Sequence, residues 1–499
     1  MGMHRVLNAF TRSVRLIAFV VFLCLLGACN LPAEEAVTGS LTPDLTSSPA
    51  VPTSGAEATL PPTATEEPAT PTPGSTISVD PQRLGLQTVR LWHPWQNRPG
   101  QILESLVNEF NASNEWGITV EAKSFLDLDQ LWQETTTAQA AGQAPDLAVG
   151  FGHQILGLDT VTPLVDMAEY INDPIWGLTQ QDQADFLPAF WEAGQAEERR
   201  LAFPALRSGQ VLYYNESWAQ ELGFSAPPAT PDELAEQACA AYQANLSDGN
   251  PENDGTGGMI ISTQYAGTLG WLKAFGASVV REDGDGYTLN TPQADQALRF
   301  LRDLYDQGCA WLPESDFAET EFAAREGLFY TGTVTGIPYQ SEVMARQSNS
   351  DTWTVMPFPT AGFQPALPVF GPSFSLLPST PEQQLAAWLF VRWLAQPENQ
   401  ARWNEATASL PLRSAALDYL DSYRQSHSQW AAAVEALPYA IAEPELLSWA
   451  QVRWALQDAT TQLYRSYFSA DGIPEMLEFL QKTADDLHQG SLPSSGDAE

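Results

Sequence analysis

Apolar and polar residues first fall into a regular rhythm near position 87. Gln87-Thr-Val-Arg-Leu-Trp92 alternates and is rich in β-formers, and His93-Pro94-Trp95 breaks it, which predicts a strand running into a loop. Ile102, Leu103, Leu106, Val107 and Phe110 recur at helical spacing. Residues 118–122 predict a second strand and 128–141 a second helix. Pro145-Asp-Leu-Ala-Val-Gly150 predicts a short buried strand ending in a Gly-rich turn. This βαβαβ order implies a mostly parallel sheet flanked by helices, with ligands beyond the C-terminal ends of the strands. Val211-Leu-Tyr-Tyr214 reads as a strand, and 231–245 and 292–307 read as helices, each opened by a Thr-Pro suited to an N-cap and first helical position. Asp283-Gly-Asp285-Gly286 reads as a hairpin turn. From 378 to 487 the pattern is almost wholly helical, and the continuous apolar run around Trp388 and Trp393 places both in a core.

The first 83 residues follow no such rhythm. Arg5, Arg12 and Arg15 make a positive leader, no acidic residue precedes position 34, and the apolar run 16–28 is too short to span a hydrocarbon core of about 30 Å. It ends in Leu26-Gly27-Ala28-Cys29, which resembles the bacterial lipoprotein signal. The resemblance implies removal of 1–28 and a lipid on Cys29, anchoring the chain to the extracytoplasmic face of the cell membrane; the alternative is an ordinary secretory signal. Residues 29–83 hold no aromatic residue and are dominated by Pro, Thr, Ser, Ala and Glu, a composition that reads as an extended, disordered tether. With Cys24 removed and Cys29 acylated, Cys239 and Cys309 remain, and an oxidising compartment favours a disulfide over two buried thiols.

Composition narrows the function. A chain of 499 residues that is 44% apolar and 17% charged supports two or three domains or one large bilobed unit. Lys+Arg number 23 against 61 Asp+Glu, a net charge of −38 that opposes nucleic acid and anionic lipid. Only five histidines occur, and no HExxH, Walker A or GxSxG string, so a zinc hydrolase, an NTPase and a lipase-type esterase are disfavoured. No metal or cofactor is expected. Asp248-Gly-Asn250-Pro-Glu252-Asn253-Asp254-Gly255 has calcium-loop residue types without the EF-hand register, and reads as a solvated loop.

The order of several short blocks resembles the extracellular solute-binding proteins of ABC importers, in particular the maltose- and glycerol-phosphate-binding group. The blocks are Leu91-Trp92-His93, Pro145-Asp146-Leu147, Phe203-Pro204 with Val211-Leu212-Tyr213-Tyr214-Asn215, Glu326 to Gly332 with Tyr330, Gly371-Pro372-Ser373, Ala386 to Phe390, Gln396 to Gln400, and Leu410-Pro411-Leu412-Arg413. The likeness covers about 87–487. It implies a two-lobed periplasmic-binding-protein fold of the type II kind, with a helical C-terminal part and lobes that close like a hinge on a solute. The first lobe is expected from 84–209 plus 328–376, the second from 210–327 plus 377–487, and a flexible tail from 488–499. A monomer that hands its solute to a membrane permease, without catalysis, is the implied partner scheme; sensing and glycan hydrolysis are the alternatives.

A sugar needs aromatic platforms for its C–H faces and polar groups for its hydroxyls. The candidates are His93, Trp95 and Gln96 after the first strand, Phe151 and His153 after the third, Tyr214, Trp271 in a Gly-rich stretch, and Tyr330. Trp449 matches by position a stacking tryptophan of the maltose binder. Arg207 and Ser208 resemble a polar ligand-contacting turn of the glycerol-phosphate binder, Gly371 and Pro372 offer close backbone approach, and Arg413 lies at a cleft-side family position. Replacing Trp95 or Trp271 by Ala is expected to weaken binding and leave folding intact. The acidic surface opposes an anionic ligand, so a neutral sugar is favoured over a glycerol-phosphate ester.

Overall fold

The computed structural model describes residues 74–196, 198–314 and 318–492. Its main elements begin with β1 (Thr88–His93), α1 (Asn97–Ser113), β2 (Thr119–Ser124), α2 (Leu128–Ala140), β3 (Leu147–Gly150) and α3 (Gly152–Val161). There follow β4 (Phe203–Pro204), β5 (Ser208–Asn215), α4 (Pro231–Ser247), β6 (Gly257–Ile260), α5 (Tyr265–Ala274), α6 (Pro292–Asp306) and β7 (Ala310–Trp311). Next come β8 (Gly327–Thr333), β9 (Trp353–Met356), β10 (Leu367–Phe370) and β11 (Ser373–Leu376). The last are α7 (Pro381–Leu394), α8 (Pro397–Thr407), β12 (Ala440–Ala442), α9 (Trp449–Leu463) and α10 (Ile473–Ser491).

Two sheets organise these elements into two lobes. The first has the order β2-β1-β3-β11-β4, with β1 parallel to both neighbours and β11 antiparallel to β3 and β4. The second has the order β12-β10-β5-β8-β6-β7, and β9 pairs with β5 beside β10. The expected strand–helix alternation builds the parallel half of the first sheet, and the Thr-Pro signals open their helices: Thr230 and Thr291 accept from the backbone N–H groups of Glu233 and Ala294. Residues of β5 are buried on both faces. Val211 and Tyr213 join one hydrophobic core, Leu212 and Tyr214 the other, as period-two alternation requires of a strand with helices on both sides.

Several boundaries differ from the sequence reading. β8, β9 and β10, expected in the first lobe as part of 328–376, pair within the second sheet. α7 and α8, expected in the second lobe as part of 377–487, pack on β1 and α1, and the Trp388 Nε1–H donates to the Trp176 carbonyl at 2.9 Å. Helical or alternating periodicity marks an apolar face without naming the sheet that face joins, so the pattern alone does not assign these segments to a lobe. The ordered domain also starts before residue 84. Ser75, Thr76 and Ile77 donate hydrogen bonds to Asp173 Oδ2, while the N–H groups of Ile175 and Trp176 donate to its Oδ1. At the other end, α10 runs through Ser491 and buries His488, so 488–491 are not a loose tail. The signal and Cys29 lie outside the described residues.

Cys239 on α4 and Cys309 before β7 form the expected disulfide, closing a 70-residue loop. The hairpin at Asp283 to Gly286 is present, with Arg281 N–H donating to the Gly286 carbonyl.

Candidate functional site

Two chain crossings between the sheets touch each other: Leu206 to Ser208 leads from β4 into β5, and Phe370 to Ser373 leads from β10 into β11. Arg207 ties them together. Its Nη1 donates to the carbonyls of Leu206, Gly371 and Pro372 at 2.9, 3.0 and 2.8 Å, and its Nη2 to Ser373 Oγ at 2.9 Å. Gly371 has φ of +151°, and a methyl group there would drive into the Leu206 carbonyl, so the close approach of the two crossings requires glycine. A third segment joins them where the Leu410 N–H donates to the Arg207 carbonyl at 2.8 Å.

Beside this junction lies a narrow cleft open to solvent. One wall comes from the first sheet: Phe151, Gly152 and His153 at the C-terminal end of β3, where parallel-sheet proteins collect ligands. The facing wall is the Glu443-Pro444-Glu445 turn after β12, followed by Trp449 at the start of α9; Arg207 and Gly371 form the floor. Phe151 and His153 stack with ring centroids 5.8 Å apart. Burial, with a contribution from Arg453, pushes the His153 imidazole down to about 3, so it is neutral at physiological pH. Burial raises the Glu443 carboxyl to about 7, against the opposing pull of Arg453 and the nearby Trp449 and Tyr265. Glu445 is also raised by burial, and it accepts from the Gly194 N–H at 2.6 Å.

A linked polar cluster borders the cleft. Glu443 and Trp449 line the cleft, and Trp449 and Tyr265 hydrogen-bond the Glu443 carboxylate, with Arg453 beside them. Trp449, Arg453 and Gln457 are spaced four residues apart on α9 and therefore share one helix face. Tyr265 meets Trp449 edge-on at 6.0 Å, and the Arg453 guanidinium lies 5.5 Å from the Tyr265 ring centroid.

Of the expected site residues, Phe151, His153, Arg207, Gly371 and Trp449 line this cleft. Arg207 does so as a structural tie, its Nη groups being occupied by four protein acceptors. The others do not line it. Trp95 is buried in the first lobe, edge-on to Trp403 at 4.8 Å and stacked on His93 at 5.7 Å; Gln96 donates to the Phe125 carbonyl at 2.5 Å. Trp271 sits in the second core on Phe300 and Phe358. Its Gly-rich surroundings are helix rather than loop: a methyl on Gly270 would strike the Phe358 ring, so the glycine serves close packing. The Tyr214 and Tyr330 hydroxyls donate to Gln237 and Gln340 inside the second lobe. Ser208 Oγ accepts from the Thr335 N–H, and the Pro372 carbonyl accepts from Ala205 and Leu206 N–H. Arg413 pairs with Asp185 and Asp182 at 2.8 and 2.6 Å within the first lobe, a buried ion pair in place of a ligand contact.

Sequence reasoning missed Glu443, Glu445, Tyr265 and Arg453. Two signals were available: an acidic pair flanking a proline just before Trp449, and an arginine one turn beyond it. In the Asp248 to Gly255 loop, Asp248 accepts from Asn250 N–H and Asn253 Nδ2, and no group of three or more metal-ligating side chains occurs among the described residues.

Comparison with known proteins agrees with this architecture. A binding protein of Brucella abortus is 24% identical over 388 residues, 76% of this chain and 87% of that one. The cyclic alpha-maltosyl-1,6-maltose binding protein from Arthrobacter globiformis superposes with a TM-score of 0.69 at 18% identity, covering 81% of this chain and 99% of that one. UgpB from Mycobacterium tuberculosis, solved with glycerophosphocholine, superposes at 0.64 with 17% identity over 81% and 98% of the two chains. The model of the bacterial extracellular solute-binding proteins matches residues 105–438. Two lobes, a cleft at their junction, and this match agree: the chain belongs to the bacterial extracellular solute-binding proteins.

Proposed function

We propose that the protein is the solute-binding component of an ABC importer, held outside the cell membrane by a lipid on Cys29, and that it captures a sugar or oligosaccharide between its lobes for delivery to a permease. The observation that carries the reading is the cleft at the lobe junction, where Phe151, His153 and Trp449 stand beside Glu443 and Glu445. Aromatic faces suit sugar C–H surfaces, and polar side chains suit hydroxyls. The hinge is the Arg207 junction, whose three chain segments are short enough to bend as a unit. No helix among the described residues is long and apolar enough to cross a membrane. The protein acts as a monomer and performs no chemistry on its solute.

A glycerol-phosphate-type ligand is the second reading, favoured by the likeness to UgpB from Mycobacterium tuberculosis. Against it stands Arg207, the arginine at the cleft floor, whose Nη groups are already engaged. Thermal-shift titration with sugars, polyols and glycerophosphodiesters tests both. A saturable shift of about 2.7 kcal/mol at 100 times the dissociation constant, with the sugar recovered intact, supports the first reading. A shift with glycerophosphodiesters alone selects the second, and cleavage of the sugar makes the protein a hydrolase.

A further inference from the structure

One turn of the second lobe reaches across the cleft. Glu445, between β12 and α9, accepts from the Gly194 N–H at 2.6 Å. Gly194 belongs to the first lobe: its carbonyl accepts from the Leu201 and Ala202 N–H groups just ahead of β4. The same turn lies flush on α3. A methyl group on Gly152 would come within 3.5 Å of Glu445 Oε1, and one on Gly157 within 3.5 Å of Leu447 Cδ1. α3 packs in the first lobe through Ile155 and Leu158, and α9 in the second through Val452 and Leu456, so these contacts run from lobe to lobe. Arg207 at the junction and Arg200 in the first lobe attract the Glu445 carboxylate from the far side. A hydrogen bond made across a hinge exists only while the two sides are together.

We propose that the turn from Glu445 to Leu447 is a strap that holds the lobes shut while the cleft is empty, with Glu445 Oε2 on the Gly194 N–H as its clasp and Leu447 against Gly157 as its seat. This rests on the hinge described above. The clasp needs an acceptor oxygen at that reach rather than a charge, because closure takes the side chain out of water, which costs a carboxylate more than an amide. One such hydrogen bond changes an equilibrium by about five- to tenfold. A solute then enters only after the strap has released, so the empty protein is held in a form that must open before it can bind.

Pulsed electron–electron double resonance on the full chain in detergent, with nitroxide labels on Thr160→Cys and Gln451→Cys, reads the separation of the lobes without any solute. Both positions are exposed, one on α3 and one on α9, and Cys239 and Cys309 are bonded to each other and take no label. The labelled parent is expected to show mainly one short distance. Glu445→Ala should raise the ratio of long to short distances by about five- to tenfold, and Glu445→Gln, which keeps the acceptor, should restore the short one. Circular dichroism checks folding. If Glu445→Ala does not fold, Leu447→Ala, which strips the packing on Gly157, takes its place with the same expectation. A parent that is mainly open, an alanine variant with the parent's distances, or a glutamine variant as open as the alanine one overturns the strap. Each of these outcomes leaves the solute-binding reading in place, since that reading stands or falls on the thermal-shift titration.

Discussion

Arg207 separates a hinge tie from a ligand arm, and replacing it by Ala tests which it is. The side chain is buried and donates to three carbonyls and one hydroxyl on the two crossings. Burial lowers its pKa to about 10, with Glu445 and Glu443 working in the opposite direction, so it is charged at neutral pH. Removal leaves the Leu206 and Gly371 carbonyls short of a donor and takes a cation from beside two buried carboxylates. Breaking such a buried charged network costs about 3–5 kcal/mol. With an unfolding entropy of about 2.1 cal/mol/K per residue over roughly 400 ordered residues, about 0.8 kcal/mol/K, the loss corresponds to a Tm lower by about 4–6 °C. Differential scanning calorimetry of the ligand-free protein reads this directly. A ligand-free Tm within about 1 °C of wild type would refute the tie and return Arg207 to the role of a ligand contact.

Trp271→Ala should lower stability by about 3–5 kcal/mol, since it empties a space between Phe300 and Phe358, and leave ligand affinity unchanged, whereas Trp449→Ala should reduce affinity; titration calorimetry with denaturant unfolding separates them. Reducing the Cys239–Cys309 bond, which closes a 70-residue loop, should remove about 4 kcal/mol in the loop-entropy model, measured as a lower denaturant midpoint in reductant. Asp173 supplies an acid-dependent term: burial opposes its charge, but hydrogen bonds from Trp176, Ser75, Ile175 and Thr76 hold its carboxyl down at about 2. A depressed pKa means that its contribution is full above the ordinary value near 3.8 and is lost as pH falls towards 2. Asp173→Asn should therefore be less stable than wild type at pH 5, with the gap closing by pH 2; a gap that persists at pH 2 would contradict the assignment.

The sequence alone determined what depends on near neighbours along the chain. Alternation at 87–92, helical spacing at 102–110 and the Thr-Pro caps at Thr230 and Thr291 specify elements, because those signals act within a turn or a pleat. The pairing of Cys239 with Cys309 followed from there being no other candidates. Tertiary structure alone decided partnership. The apolar faces of α7 and α8 suit either sheet, and only the packed chain puts them on the first; β8 to β10 read as strands but not as strands of the second lobe. Side-chain roles divided the same way. Trp95, Trp271 and Arg413 have the residue types of a sugar site, yet packing and ion pairing absorb them, because an aromatic ring or a guanidinium serves a core or a buried pair as well as a ligand. Glu443 stood out only in space, where Phe151 and His153 of the first lobe meet the Glu443 turn and Trp449 of the second, a neighbourhood that no local stretch of sequence contains.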